Sequence, residues 1–201
     1  MKFKVDLTKN NYLESIVALT SLCINNPLHI DLMLLKGNLN DEINIIRNSL
    51  SQYDITFKDG EVNEDDFILF PTNVIIDGDI SRIIDEIENG NDSKPLLSFA
   101  IDAQQAHEKG MNYNDVKGNY EIIYFPTDRP WQCTNIHYDI EKIWWEYAKK
   151  TPIYKILMEI FLDSALFDTS LEDYANFLCE DNKKLIIVIN EAKDTLQKLV
   201  R

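Results

Sequence analysis

The chain has 201 residues, 45% of them hydrophobic and 27% charged, the profile of one soluble domain able to bury a real core. A formal net charge of -14 opposes any role that grips nucleic acid phosphates or an anionic bilayer, so no nucleic acid partner is expected. No stretch approaches the roughly 18 uninterrupted apolar residues of a membrane span and the start MKFKVDLTKN has no signal-like apolar run, so a cytoplasmic protein with no transmembrane segment is expected.

Lys2 to Leu7 reads as a short strand. Leu13, Ile16, Val17, Ala18 and Leu22 then recur at helical spacing and stop near Asn25-Asn26-Pro27, where proline ends the helix. His29 to Leu35 reads as a second strand. Leu39, Ile43, Ile46, Leu50 and Tyr53 mark one face of a helix with Asn38 or Asn40 as its cap, and Ile55 to Phe57 as a third strand. Strands separated by helices of this length pair in parallel through right-handed crossovers, which predicts an α/β sheet with helices on its faces. Ligands in such sheets sit beyond the C-terminal strand ends. That rule points to Thr8 through Tyr12 and to the turn after Phe67 through Phe70.

Further along, Pro71-Thr72-Asn73 breaks an apolar run, and Ile80, Ile83, Ile84 and Ile87 mark a helix ending at Asn89-Gly90-Asn91. Leu96 to Ile101 suggests another strand. Gln104 to Asn119 is polar and reads as a loop and a natural boundary. After a strand at Ile122 to Phe125 the pattern turns helical. Ile140, Ile143, Trp144 and Tyr147 share a face, and Thr151-Pro152 has the cap and first-turn signature of a new helix. Leu171 to Leu178 and Leu185 to Leu199 add two more. The expected organisation is an α/β domain over 1–125 and a helical segment over 126–201 packed on it. Cys23, Cys133 and Cys179 form no Cys-x-x-Cys pair and read as small hydrophobes. Glu61, Glu64, Asp65 and Asp66 read as a solvated loop.

Two stretches carry a family likeness. Thr8-Lys9-Asn10-Asn11-Tyr12, with a helix closing on Ser21-Leu22 and then Asn25-Asn26, resembles the first strand, nucleotide loop and first helix of family 8 glycosyltransferases, whose usual form is Thr-Asp-Asp-Asn-Tyr. Arg129-Pro130-Trp131, followed by Trp144-Trp145-Glu146-Tyr147-Ala148 and Thr151-Pro152-Ile153-Tyr154, is similar to the C-terminal Lys-Pro-Trp, Trp-Trp-x-Tyr-Ala and Thr-Pro-x-Tyr pattern of bacterial members. Between them, Asp65 to Ser81 lies without gaps on the family's central strand, with Gly78-Asp79-Ile80 at its end. The resemblance implies a nucleotide-diphospho-sugar transferase fold of the GT-A type. It implies Thr8, Asn10, Asn11, Tyr12, Asn73, Arg129 and Trp131 as candidate nucleotide-sugar contacts.

In that register the family's metal positions are altered. Its two loop aspartates are Lys9 and Asn10, its Asp-x-Asp is Pro71-Thr72-Asn73, and its histidine falls at Ile123. The segment between the central strand and Arg129 is also much shorter than in the family. Transfer from a nucleotide diphosphate needs a divalent cation, usually manganese, to stabilise charge on the leaving group. A catalytically impaired, shortened relative is therefore expected, with no cofactor, retaining a nucleotide-sugar or partner-binding role. An active hexosyltransferase in surface polysaccharide or lipopolysaccharide synthesis remains open, either through a partner enzyme or with Mn2+ on Asp77, Asp79, His107 and His137. The competing reading of Asp77-Gly78-Asp79 is a turn whose Asp79 caps the next helix. Trp144-Trp145 with Lys149-Lys150 suggests either a membrane interface or, more simply, one buried and one partly exposed indole. A structural protein dimerising through Leu185, Ile189, Ala192, Leu196 and Leu199 is the third reading.

Overall fold

The computed structural model describes residues 1–35, 39–58, 63–90, 94–126, 130 and 139–165. β1 (Lys2–Asp6) feeds α1 (Tyr12–Asn25), followed by β2 (Ile30–Leu35), α2 (Asn40–Ser49), β3 (Ile55–Lys58) and β4 (Ile68–Leu69). These four strands form one wholly parallel sheet in the order β3-β2-β1-β4. Phe3 and Val5 stand in register with Leu32 and Leu34, and Phe3 again with Ile68. Parallel strands covered on both faces need apolar side chains in both directions, and the IDLMLL run of β2 supplies them.

A second, three-stranded sheet holds β5 (Val74–Ile76), β6 (Ile101–Asp102) and β7 (Ile122–Tyr124) in the order β5-β7-β6. Here β6 runs parallel to β7 but β5 runs antiparallel to it. The remaining helices are α3 (Ser81–Asn89), α4 (Ala103–Glu108), α5 (Tyr113–Val116), α6 (Glu141–Ala148) and α7 (Tyr154–Ala165). The molecule is thus an α/β protein with mostly parallel sheet flanked by helices. α1 is its centre: every residue from Leu13 through Cys23 is buried, as suits a helix apolar around most of its girth. It packs against β5, α2 and α6. Burial pushes the Cys23 thiol up to about 12, so it behaves as a hydrophobe.

Several sequence expectations are corrected. Leu96 to Ile101 is no strand. Pro95 precedes a 3-10 turn over Leu96–Phe99, held by Ser98 N and Oγ donating to the Pro95 carbonyl, and two residues remain for β6. Gln104 to Asn119 is no loop, for it contains most of α4 and all of α5. Asp102 accepts from Gln105 N at the start of α4, and Asn112 and Asp115 form a capping box on α5. Their core residues are small, Ala103, Ala106 and Val116, and leave little periodic signal.

Asn40 is the first residue of α2, whose cap position is Leu39 with no side-chain bond; Asn38 lies outside the described residues. Thr151 donates its hydroxyl back to the Ala148 carbonyl at 2.7 Å, so it closes α6 instead of starting α7. Trp144 and Trp145 are both buried, edge to face at 5.1 Å. Among the described residues, no helix is long and apolar enough to cross a membrane. The expected helices at 171–178 and 185–199, with the Leu196 stripe, lie outside them, as do Cys133 and Cys179.

At the N-terminal end of the parallel sheet, His29 spans two carboxylates, with Nδ1 2.9 Å from Asp54 Oδ1 and Nε2 3.3 Å from Asp31 Oδ1. Asp54, then Asp31, raises the imidazole above its usual 6.5. A raised folded value stabilises fully below the ordinary histidine range and fades as pH climbs through the raised value. The Tm gap between wild type and His29→Gln should be widest at mildly acidic pH and close at alkaline pH. A gap independent of pH would contradict this clamp.

Candidate functional site

The β1–α1 connection lies at the C-terminal end of the parallel sheet. Asn11 shapes it: Oδ1 accepts from Thr8 N at 2.7 Å and Nδ2 donates to the Asp6 carbonyl at 2.9 Å. Asn10 N reaches Thr8 Oγ1 at 3.3 Å. The Asn11 side chain is therefore committed to the turn, while Thr8, Lys9 and Asn10 are exposed and Tyr12 is half-buried.

Pro71-Thr72-Asn73 joins β4 to β5 and meets this same corner. Thr72 Oγ1 donates to Glu14 Oε1 at 3.0 Å, in the first turn of α1, where the carboxylate is buried. Asn73 is strapped to the end of β7: its carbonyl accepts from Phe125 N at 2.9 Å and its Nδ2 donates to the Phe125 carbonyl at 3.2 Å. Ile123 sits fully buried in mid-β7 opposite Ile75. The donor set at the positions that the resemblance assigns to a metal does not suit a divalent cation: Pro71 and Ile123 offer no ligand atom, and Asn73 offers only a neutral amide oxygen.

Segments from all three stretches bearing the family likeness meet at the other end of α1, about 20 Å along the helix from this corner. Ser21 Oγ accepts from Ile76 N at 2.9 Å, Asn26 Oδ1 accepts from Ile80 N at 2.9 Å, and Asn26 Nδ2 reaches the Gly78 carbonyl at 3.2 Å. Asn25 Nδ2 lies 2.7 Å from both the Ile76 carbonyl and Tyr147 Oη. The helix end, the Gly78-Asp79-Ile80 turn and the Trp-Trp-x-Tyr motif are one hydrogen-bonded knot.

Asp77 is part of that knot. Its side chain is 1% exposed; Oδ1 accepts from Tyr147 Oη at 2.8 Å and pairs with Lys117 Nζ at 2.5 Å, and Oδ2 accepts from Gly118 N at 2.7 Å. Glu146 Oε2 lies 3.4 Å from Lys117 Nζ, and Glu146 Oε1 accepts from Tyr113 Oη at 2.6 Å. Burial pulls the Lys117 ammonium down, but Asp77, with Tyr147 and Glu146, outweighs it and the net shift is upward. Burial, then Glu146, pushes the Tyr113 phenol up to about 12.

The described members of the alternative metal set, Asp77, Asp79 and His107, do not form a metal-binding group. Asp77 is saturated by these donors, Asp79 accepts from Ser81 N at 2.8 Å one residue ahead of the α3 cap position, and His107 sits exposed in the last turn of α4. Arg129, Trp131 and His137 lie outside the described residues. Among the described residues, no group of three or more His, Cys, Asp and Glu is placed to hold a metal ion. Sequence reasoning missed Lys117 and Tyr113, because both fall in the stretch read as a loop.

No family model matches the chain, and no curated protein does. Among solved structures, the glycosyltransferase GlyE of Streptococcus pneumoniae is similar at 15% identity, with a TM-score of 0.47, over 81% of this chain. This chain spans 64% of that one. A likeness so remote carries no functional argument.

The Asp77 pair yields a stability test. Lys117→Met leaves a buried carboxylate without its cation and should cost about 3 kcal/mol by denaturant unfolding. Adding Asp77→Asn should recover at least half of that loss. A double variant as weak as the single one would contradict the ion-pair account.

Proposed function

We propose that the chain is a family 8 glycosyltransferase-like scaffold that no longer transfers sugar through a metal-assisted mechanism and serves as a nucleotide-sugar-binding or partner subunit. The observation that carries this reading is a contrast between the two ends of α1. Motif residues that tie the fold together, Ser21, Asn25, Asn26 and Tyr147, make the bonds that a scaffold needs. Positions where the family places its ion carry Pro71, Asn73 and Ile123.

In this reading the exposed Thr8 and Asn10, the half-buried Tyr12, and Arg129 and Trp131 from beyond the described residues would contact a uridine diphosphate sugar. Lys9 and Arg129 supply positive charge in place of a cation, enough for weak binding. Asn11 and Asn73 contribute backbone shape, since their side chains are engaged within the fold. The active-enzyme alternative needs Asp77 free, and its three donors argue against that.

Thermal unfolding with UDP-glucose or UDP-galactose, with and without Mn2+, tests the reading. Any rise in Tm should be small and the same in both series. A ligand at 100 times its Kd adds about 2.7 kcal/mol, so a manganese-dependent gain of that order would overturn the proposal.

A further inference from the structure

A cavity of about 600 Å³ lies against β6 and α4. It shares no lining residue with the sheet-end corner or with the Asp77 network, and its size falls within the range of small-molecule sites. Phe99 and Tyr120 bring aromatic rings to it. Lys94 Nζ already lies over the Phe99 ring, 5.9 Å from its centroid. Tyr120 is 37% exposed, and neither its ring nor its hydroxyl has a partner among the described residues. An open aromatic face beside polar groups is an amphipathic platform.

Polar groups converge on the same cavity. Asp102 Oδ1 accepts from Gln105 N at 3.0 Å and Oδ2 from Gln105 Nε2 at 3.4 Å, which fixes both side chains while leaving carboxylate lone pairs free. Lys109 also lines the cavity, and its ammonium has no carboxylate partner among the described residues.

The walls are set by backbone geometry. Gly110, at φ +80, ends α4, with Gly110 N donating to the His107 carbonyl and Met111 N to that of Ala106, and this turn brings Met111 back as a wall. Gly118, two residues before Tyr120 and at φ +71, is anchored through its N–H to Asp77. Asp102 and Gln105, held against each other, lose little freedom on binding.

A pyranose matches this arrangement, because one face of the ring is C–H and its rim is hydroxyl. We propose that the cavity is a carbohydrate site for a single pyranose ring, with its C–H face on Tyr120 and its hydroxyls on Asp102, Gln105 and Lys109. The site goes beyond the nucleotide-sugar reading, since it needs neither nucleotide nor cation.

Amide chemical shifts of the whole chain, titrated with methyl glucoside, methyl galactoside and N-acetylglucosamine, test it. At least one sugar should produce saturable shifts centred on Ala100 to Gln105, Met111 and Tyr120. Tyr120→Ala should weaken that binding about tenfold and Tyr120→Phe by less than about threefold. Asp102→Asn should weaken it without moving the unfolding midpoint. No saturable shift with any of the sugars, or binding unchanged in Tyr120→Ala, would overturn the proposal. A parallel UDP titration keeps the two sites apart, for its shifts belong at Thr8 to Tyr12 and either site can fail alone.

Discussion

The fold depends on how the end of α1 is bonded. A helix buried along most of its length must find partners for every polar group it carries inward. Ser21, Asn25 and Asn26 do so by reaching out of the helix to the backbone of Ile76, Gly78 and Ile80. Each such bond contributes about 1 kcal/mol net, but leaving its buried partner unmet costs about 1–3 kcal/mol. That asymmetry makes these side chains a constraint on the turn after β5 and, through β5, on the whole second sheet. Thr20 Oγ1 is the exception in this helix, buried and without a hydrogen-bond partner among the described residues.

The knot also fixes charge. Tyr147 joins Asn25 to Asp77, and Asp77 in turn holds Lys117 and the backbone of Gly118. A carboxylate removed from water survives as a charge only with a cation and donors around it. The consequence is mechanical: α5, α6, β5 and the end of α1 meet on one buried anion. Lys150 and Lys117 both lie over the Tyr147 ring, at 4.5 and 4.7 Å from its centroid, and place further positive charge beside it.

The parallel sheet was readable because its strands and helices alternate with clear apolar spacing, and Pro27 marks where α1 must end. The second sheet was not. β6 has two residues, and the pairing of β5 with β7 joins segments far apart in the chain, for which spacing carries no signal. α4 and α5 were hidden because alanine and valine make a faint stripe, although the caps at Asp102 and Asn112 were visible as residues. For Asp77 the sequence offered a ligand or a turn; it is a buried ion pair, whose partner Lys117 no local pattern connects to it. The strand-end rule directed attention to Thr8–Asn11 and to Pro71–Asn73, which the fold brings to the same end of the sheet. What that rule does not foretell is that Asn11 and Asn73 would spend their amides on Asp6 and Phe125.

On the proposed reading, the bonds at the end of α1 build the scaffold, and the exposed Thr8, Lys9 and Asn10 at the strand ends are left to meet a ligand. The most direct measurement is the electron paramagnetic resonance signal of free Mn2+ titrated with the chain in the presence of UDP-glucose, beside a Pro71→Asp, Asn73→Asp variant. The account predicts that the wild-type chain leaves the signal undiminished while the variant takes up the ion; a wild-type chain that removes the signal as well as the variant would contradict it.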